Sequence, residues 1–158
     1  MKTPASIMGH PVHPMLIPFP FALWTFSLVA DAIYYFFDHN AASVWDEVSF
    51  YTMAAGIVGA VMAAVPGLID YFSLKDRRLS KIAGWHARLN VFALLVFGAS
   101  LYLRTIRGSA MVGRSLTVPV LLSILGIILI SISGWLGGEL VYKHGVAVEG
   151  ERGGPPAT

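Results

Sequence analysis

Four of the five histidines in this 158-residue chain, His10, His13, His86 and His144, flank long apolar stretches, together with two carboxylates, Asp70 and Glu139. Imidazole and carboxylate are the usual ligands of zinc, iron, manganese and copper where thiolates are absent, and this chain has no cysteine. That absence excludes disulfides, cysteine-held iron–sulfur clusters, thiolate zinc sites and cysteine nucleophiles. Two kinds of site follow. A divalent metal ion (Fe, Zn, Mn or Cu) would draw on His10, His13, Asp70, His86, Glu139 and His144. A haem b would take His86 as its central ligand with His13 or His144 opposite and Asn90 beside it. Asp70 and Glu139 would then orient the histidines, and Arg77, Arg78 or Lys81 would meet the propionates.

Each candidate also has a plainer reading. In GHPVHP, His10 and His13 each precede a proline and are restrained toward extended backbone. In polyproline geometry they face the same way about 9 Å apart, at about 3.1 Å per residue. That is too far to chelate one ion unless the loop bends. His13 is therefore the ligand candidate, with His10 orienting it or bonding backbone; the alternative is a rigid start to the first helix. His86 and Asn90 are four apart and share a helix face, so Asn90 either holds His86 or bonds a neighbouring helix. Glu139 and Lys143 have the spacing of an ordinary surface ion pair. Asp31 lies deep in an apolar segment. A salt bridge to Arg104 or Arg107, or a tyrosine hydrogen bond, explains it more simply than a proton relay.

The elements that must position these residues are four transmembrane helices. The chain is 56% hydrophobic and 13% charged, where soluble domains carry about 25% charged residues. Residues 15–37, 48–74, 82–103 and 116–141 are each long enough to cross about 30 Å of hydrocarbon. The expected architecture is an all-α integral membrane bundle (15–144), preceded by a His/Pro segment (1–14) and followed by a disordered Gly/Pro-rich tail (145–158). Pro14, Pro18 and Pro20 set regular helix to begin near Pro18 or Pro20. The N-terminus does not read as a cleaved signal. Pro66-Gly67 should kink the second helix. Ahead of it, Ala54, Ala55, Gly56, Gly59, Ala60, Ala63 and Ala64 allow close helix packing. No internal repeat is apparent.

Even numbers of crossings separate the start of helix one, the end of helix two, the start of helix three and the end of helix four. His10, His13, Asp70, His86, Asn90, Glu139 and His144 therefore share one face whichever way the chain inserts, and only His39 sits opposite. Lys75, Arg77, Arg78 and Lys81 in the second loop, against an acidic first loop, place both termini in the cytoplasm. Arg104, Arg107 and Arg114 in the third loop dissent. A net charge of +2, with no basic stripe, argues against a nucleic-acid partner.

At GHPVHPMLIPFPFALW, PGLIDY and SGWLGGELVYKHGV the chain resembles a bacterial family of small four-helix membrane proteins of unknown function, over about Gly9 to Val146. His10, His13, Asp70, Glu139 and His144 match its motifs, and His86 and Asn90 lie in a GWHARLN stretch of the same type. Some members are fused to redox modules such as Rieske-type domains. The resemblance thus implies a metal- or redox-linked role in the bacterial inner membrane. The leading expectation is electron transfer through haem b or a metal ion at the cytoplasmic face, with the bilayer, a redox partner protein and further copies of the chain as partners. The rivals are a non-catalytic anchor or assembly subunit of a larger complex, and a proton or ion transporter using Asp31 and Asn90. No nucleophile motif or phosphate loop is visible, so enzymatic activity is left open.

Overall fold

A computed structural model describes residues 3–38, 43–106 and 115–148. His39, Arg107, Arg114 and most of the expected tail lie outside these residues.

A two-residue strand pair, β1 (Ser6–Ile7) and β2 (His10–Pro11), leads into a short helix α1 (Val12–Leu16) and then α2 (Pro18–Phe37). Three further helices follow: α3 (Val44–Ser73), α4 (Arg77–Thr105) and α5 (Thr117–Gly138), the last running into a π-helical turn at Glu139–Lys143. Four stretches, Val12–Phe37, Val44–Ser73, Arg77–Thr105 and Thr117–Lys143, are long and apolar enough to cross a membrane. The molecule is an all-α membrane bundle, as its composition predicts.

The His/Pro segment departs from the polyproline expectation. Met8 and Gly9 both have positive φ, 50° and 83°, the backbone of a tight primed hairpin turn. The hairpin is closed by Val12 N–H donating to the Ala5 carbonyl, and pinned by Ala5 N–H donating to Asp70 Oδ1, both at 2.9 Å. His13 is helical although a proline follows it. Pro14 falls in the first turn, where its missing N–H leaves no hydrogen bond unmade. Regular helix then restarts at Pro18, as the prolines require. α3 and α4 begin four and five residues before the expected spans, where polar caps extend them. Ser43 Oγ accepts from Trp45 N–H ahead of α3, and Asp76 accepts from Arg78 and Leu79 N–H ahead of α4.

Each long helix neighbours the next, and α5 closes back on α2, so α2 and α4 face each other diagonally. Across that diagonal the chain is built twice. Residues 13–31 align without a gap to 86–104, keeping His13/His86, Leu16/Leu89, Phe19/Phe92, Ser27/Ser100 and Leu28/Leu101. Residues 49–67 align to 119–137, keeping Gly56/Gly126, Ile57/Ile127 and Gly67/Gly137. The hydrogen bonds repeat too: Ser27 Oγ donates to the Ser49 carbonyl and Ser100 Oγ to the equivalent Pro119 carbonyl, both at 2.8 Å. The hairpins α2–α3 and α4–α5 are thus parallel repeats about an approximate two-fold axis along the bundle. The expectation of no repeat is corrected: identities this sparse in uniformly apolar helices are recognisable only once the contacts align them.

Equivalent residues meet on the axis in three layers. In the middle, Trp24 stacks on Phe97 with ring centres 4.0 Å apart. Each ring lies against a glycine of its own hairpin: a Cβ on Gly56 or Gly126 would stand 2.6 Å from the Trp24 or Phe97 ring. At the end remote from the hairpin, Arg104 makes a two-pronged ion pair with Asp31, 2.8 Å to Oδ1 and 2.6 Å to Oδ2. Both side chains are almost wholly buried. Ser49 Oγ donates to Asp31 Oδ1 and accepts from Arg104, and Ser123 and Ser100 accept from the guanidinium at longer range. Of the partners weighed for Asp31, Arg104 is the one it takes. The third layer is the histidine pair described below.

Two predictions follow from caps and layers. Asp31→Leu or Arg104→Leu alone strands a buried charge and should cost about 3–5 kcal/mol of stability, read by denaturant unfolding in detergent. The Leu79 N–H, then the Arg78 N–H, holds the exposed Asp76 carboxyl below its ordinary pKa. The cap's contribution is therefore complete above that ordinary value and is lost as pH falls through the lower folded-state one. Asp76→Asn should remove this acid-side loss from a pH series of thermal unfolding.

Candidate functional site

The third axial layer holds His13 and His86, which the repeat places at equivalent positions. His13 Nδ1 lies 2.7 Å from the Ala63 carbonyl of α3, and His86 Nδ1 lies 2.8 Å from the Ser133 carbonyl of α5. Ala63 and Ser133 are themselves equivalent. A carbonyl only accepts, so each Nδ1 carries a hydrogen, and in the neutral imidazole Nε2 then holds the lone pair. The two rings meet edge to face, centres 6.1 Å apart at 88°.

Local sequence explains the seats. Ala63 precedes Pro66, which lacks an N–H for the Met62 carbonyl and so loosens that turn of α3. Four residues on from each carbonyl stands a glycine. A Cβ on Gly67 would sit 2.7 Å from His13 Nδ1, and one on Gly137 3.1 Å from His86 Cε1. Each imidazole thus occupies the space a side chain would fill. Ser133 adds a second tie, donating from Oγ to the His86 carbonyl at 3.1 Å.

Besides Ser133 in place of Ala63, the halves differ at a second neighbouring position. Asn90 Nδ2 lies 3.0 Å from both His86 Nε2 and the His86 carbonyl, so the expected pairing of Asn90 with His86 is present. The equivalent residue in the first half is Ile17, which offers no donor. Among the described residues, His13 therefore has Nε2 without a protein hydrogen bond, while His86 Nε2 accepts one from Asn90.

The remaining candidates do not join the pair. Asp70 takes the Ala5 N–H, where histidine, Lys75 or a cation had been the expected partners. Glu139 Oε1 lies 3.6 Å from Lys143 Nζ, the expected surface pair, and 4.0 Å from His144 Nε2. His144 Nε2 is buried with no hydrogen bond. His10 is exposed on β2. Among the described residues, no group of three or more His, Asp or Glu is arranged to hold a metal ion; the convergence is of two imidazoles. Arg77, Arg78 and Lys81 are exposed where α4 begins, and Arg88 lies over the Trp85 ring at 5.5 Å. Trp85 and Trp135 face outward, as membrane-interface anchors do. A separate cavity of about 170 Å³, lined by Asp46, Glu47, Phe50, Tyr51 and Arg104, opens at the opposite end and touches none of these groups.

Sequence reasoning found His13, His86 and Asn90 but missed the groups that hold them: the Ala63 and Ser133 carbonyls and the Gly67 and Gly137 seats. The signal available was glycine four residues after each accepting carbonyl, repeated in both halves. Gly67→Ala should displace His13 and destabilise the fold by about 1–3 kcal/mol, and Gly137→Ala by less, in chemical unfolding in detergent. Gly98→Ala and Gly134→Ala, where a Cβ meets nothing within 4 Å, should be neutral or stabilising.

Neither a curated protein nor a solved structure matches the chain. A family model described as "Predicted membrane protein (DUF2231)" matches residues 9–150, from the GHPVHP motif through all four helices. The chain belongs to this family of membrane proteins of unknown function.

Proposed function

We propose that this chain is a redox-linked membrane module whose metal centre is held between His13 and His86. The observation that carries the reading is the doubled construction of the site. Two equivalent imidazoles are tied at Nδ1 by equivalent carbonyls, sit on equivalent glycines and meet across the axis. Fixing Nδ1 by a backbone carbonyl is how proteins orient a histidine that binds metal through Nε2. Imidazoles on opposite sides of one ion, at about 2.0–2.1 Å per bond, place their ring centres about 6 Å apart, so the 6.1 Å separation leaves room for one ion once a ring turns from its edge-to-face position to aim Nε2 at it. His13 and His86 fit a two-ligand centre; Asn90 would have to release His86 Nε2 on loading. The metal, bare or as haem b, would supply a one-electron step. The chain's own contribution is to fix both rings and to keep the site among apolar helices.

The localisation that goes with this reading is the bacterial inner membrane, with the histidine end and both termini cytoplasmic. The burial of Arg104 supports it, since that residue no longer counts as an outward loop charge. A redox protein docking at the histidine end, and association of copies, belong to the same proposal. The rival readings draw less from the structure. Gly56 and Gly59, two of the small residues that allow close packing on α3, press on Trp24 and Pro20 of the same chain. Asp31 and Asn90, which a transporter would use, are committed to Arg104 and His86 at separate layers with the Trp24–Phe97 stack nearby.

Absorption spectra and elemental analysis of protein purified in detergent test the proposal. The expected result is one equivalent of metal per chain, with a Soret band if it is haem, lost in both His13→Ala and His86→Ala while helical circular dichroism persists. Wild-type protein that takes up neither metal nor haem when supplied with them would sink it.

A further inference from the structure

The three axial layers differ in how they would behave if a hairpin met its own kind. Suppose α2–α3 of one copy packed on α2–α3 of another about the same axis. The histidine layer would put His13 on His13, and the aromatic layer Trp24 on Trp24. Ser27, whose hydroxyl stays within its hairpin on the Ser49 carbonyl, would be unaffected. The same holds for α4–α5 with His86, Phe97 and Ser100. All of these are pairings that imidazoles and aromatic rings tolerate. Only one axial layer forbids them: it would set Asp31 against Asp31 or Arg104 against Arg104, like charges on side chains almost wholly buried, where repulsion is less screened than at a surface.

We propose that Asp31 and Arg104 are a pairing code, which makes α2–α3 accept α4–α5 and reject the like half of a second copy. The surroundings have diverged to suit the code. Ser49, which bonds both charged groups, corresponds to Pro119, and Ser123, which accepts from the guanidinium, corresponds to Met53. The charge is thus reversed across the axis at this layer, whereas the other two layers keep an imidazole opposite an imidazole and an aromatic ring opposite an aromatic ring. Without the code, like-half pairing between chains leaves each partner with an unpaired second half. That is the geometry of open-ended association rather than a closed unit. This inference does not depend on any metal at the histidine layer.

The test uses full-length chains in detergent, with mass read by native mass spectrometry. D31R/R104D, which keeps opposite charges on the axis, is expected to stay monomeric like the wild type. D31L/R104L, which removes the code, is expected to form dimers and larger species. A D31L/R104L chain as monomeric as the wild type overturns the proposal. Should that variant fail to fold, co-expression of differently tagged D31R and R104D chains decides. Each alone carries like charges across the axis, whereas exchanging halves between them restores an opposite pair in both units. The expected outcome is a one-to-one mixed dimer recovered through both tags at several times the yield of either chain alone. Recovery no better together than apart overturns it.

Discussion

A ring can lie at the centre of a four-helix bundle only if the helix facing it gives up a side chain. In this protein that exchange is made four times. Trp24 lies on Gly56, Phe97 on Gly126, His13 on Gly67 and His86 on Gly137. Because side chains in packed interiors leave few voids, a glycine without a ring above it would be a cavity, and a ring without a glycine below it a clash. The seats therefore fix the depth at which each hairpin grips its own rings. They also bring four rings to the axis in two facing pairs.

Polar groups inside lipid face a second constraint: no water satisfies them, so most are met by the protein, although Trp24 Nε1 and His144 Nε2 are buried without a hydrogen bond. The chain applies it differently at its two ends. Away from the N-terminal hairpin, full charges neutralise each other, with three serines taking up the remaining donors and acceptors. At the hairpin end, one nitrogen of each imidazole is satisfied by a backbone carbonyl and the other is left available or only lightly held. That difference is why the histidine layer, and not the ion pair, is the candidate for chemistry.

The repeat gives these layers a common origin. Two helical hairpins with the same ring, serine and glycine positions, placed about one axis, produce every cross-axis contact between equivalent residues. Specialisation then consists of a few departures from equivalence: Asp31 against Arg104, Asn90 against Ile17, and Ser133 against Ala63. The first ties the two halves together, and the other two each add a polar interaction to the second half only.

Much was legible in the residues themselves. Four apolar stretches of bilayer length dictate four spans, because lipid tolerates no other arrangement of so few charges. The parity of crossings alone puts His13, His86, Asp70 and Glu139 at one end, and helical spacing alone puts Asn90 over His86. An acid as deep as Asp31 had to find a partner, and Arg104 was within reach at the matching level. What only tertiary structure decided is which of the polar residues at that end meet. Sidedness fixes depth but not direction around the bundle. The carboxylates turned to other partners, Asp70 to a backbone amide of the N-terminal hairpin and Glu139 to Lys143, while the two imidazoles turned inward. The hairpin itself and the internal two-fold were equally hidden. Both rest on backbone hydrogen bonds and ring–glycine contacts between distant segments, and an apolar sequence, in which most positions need only be greasy, does not spell out such contacts.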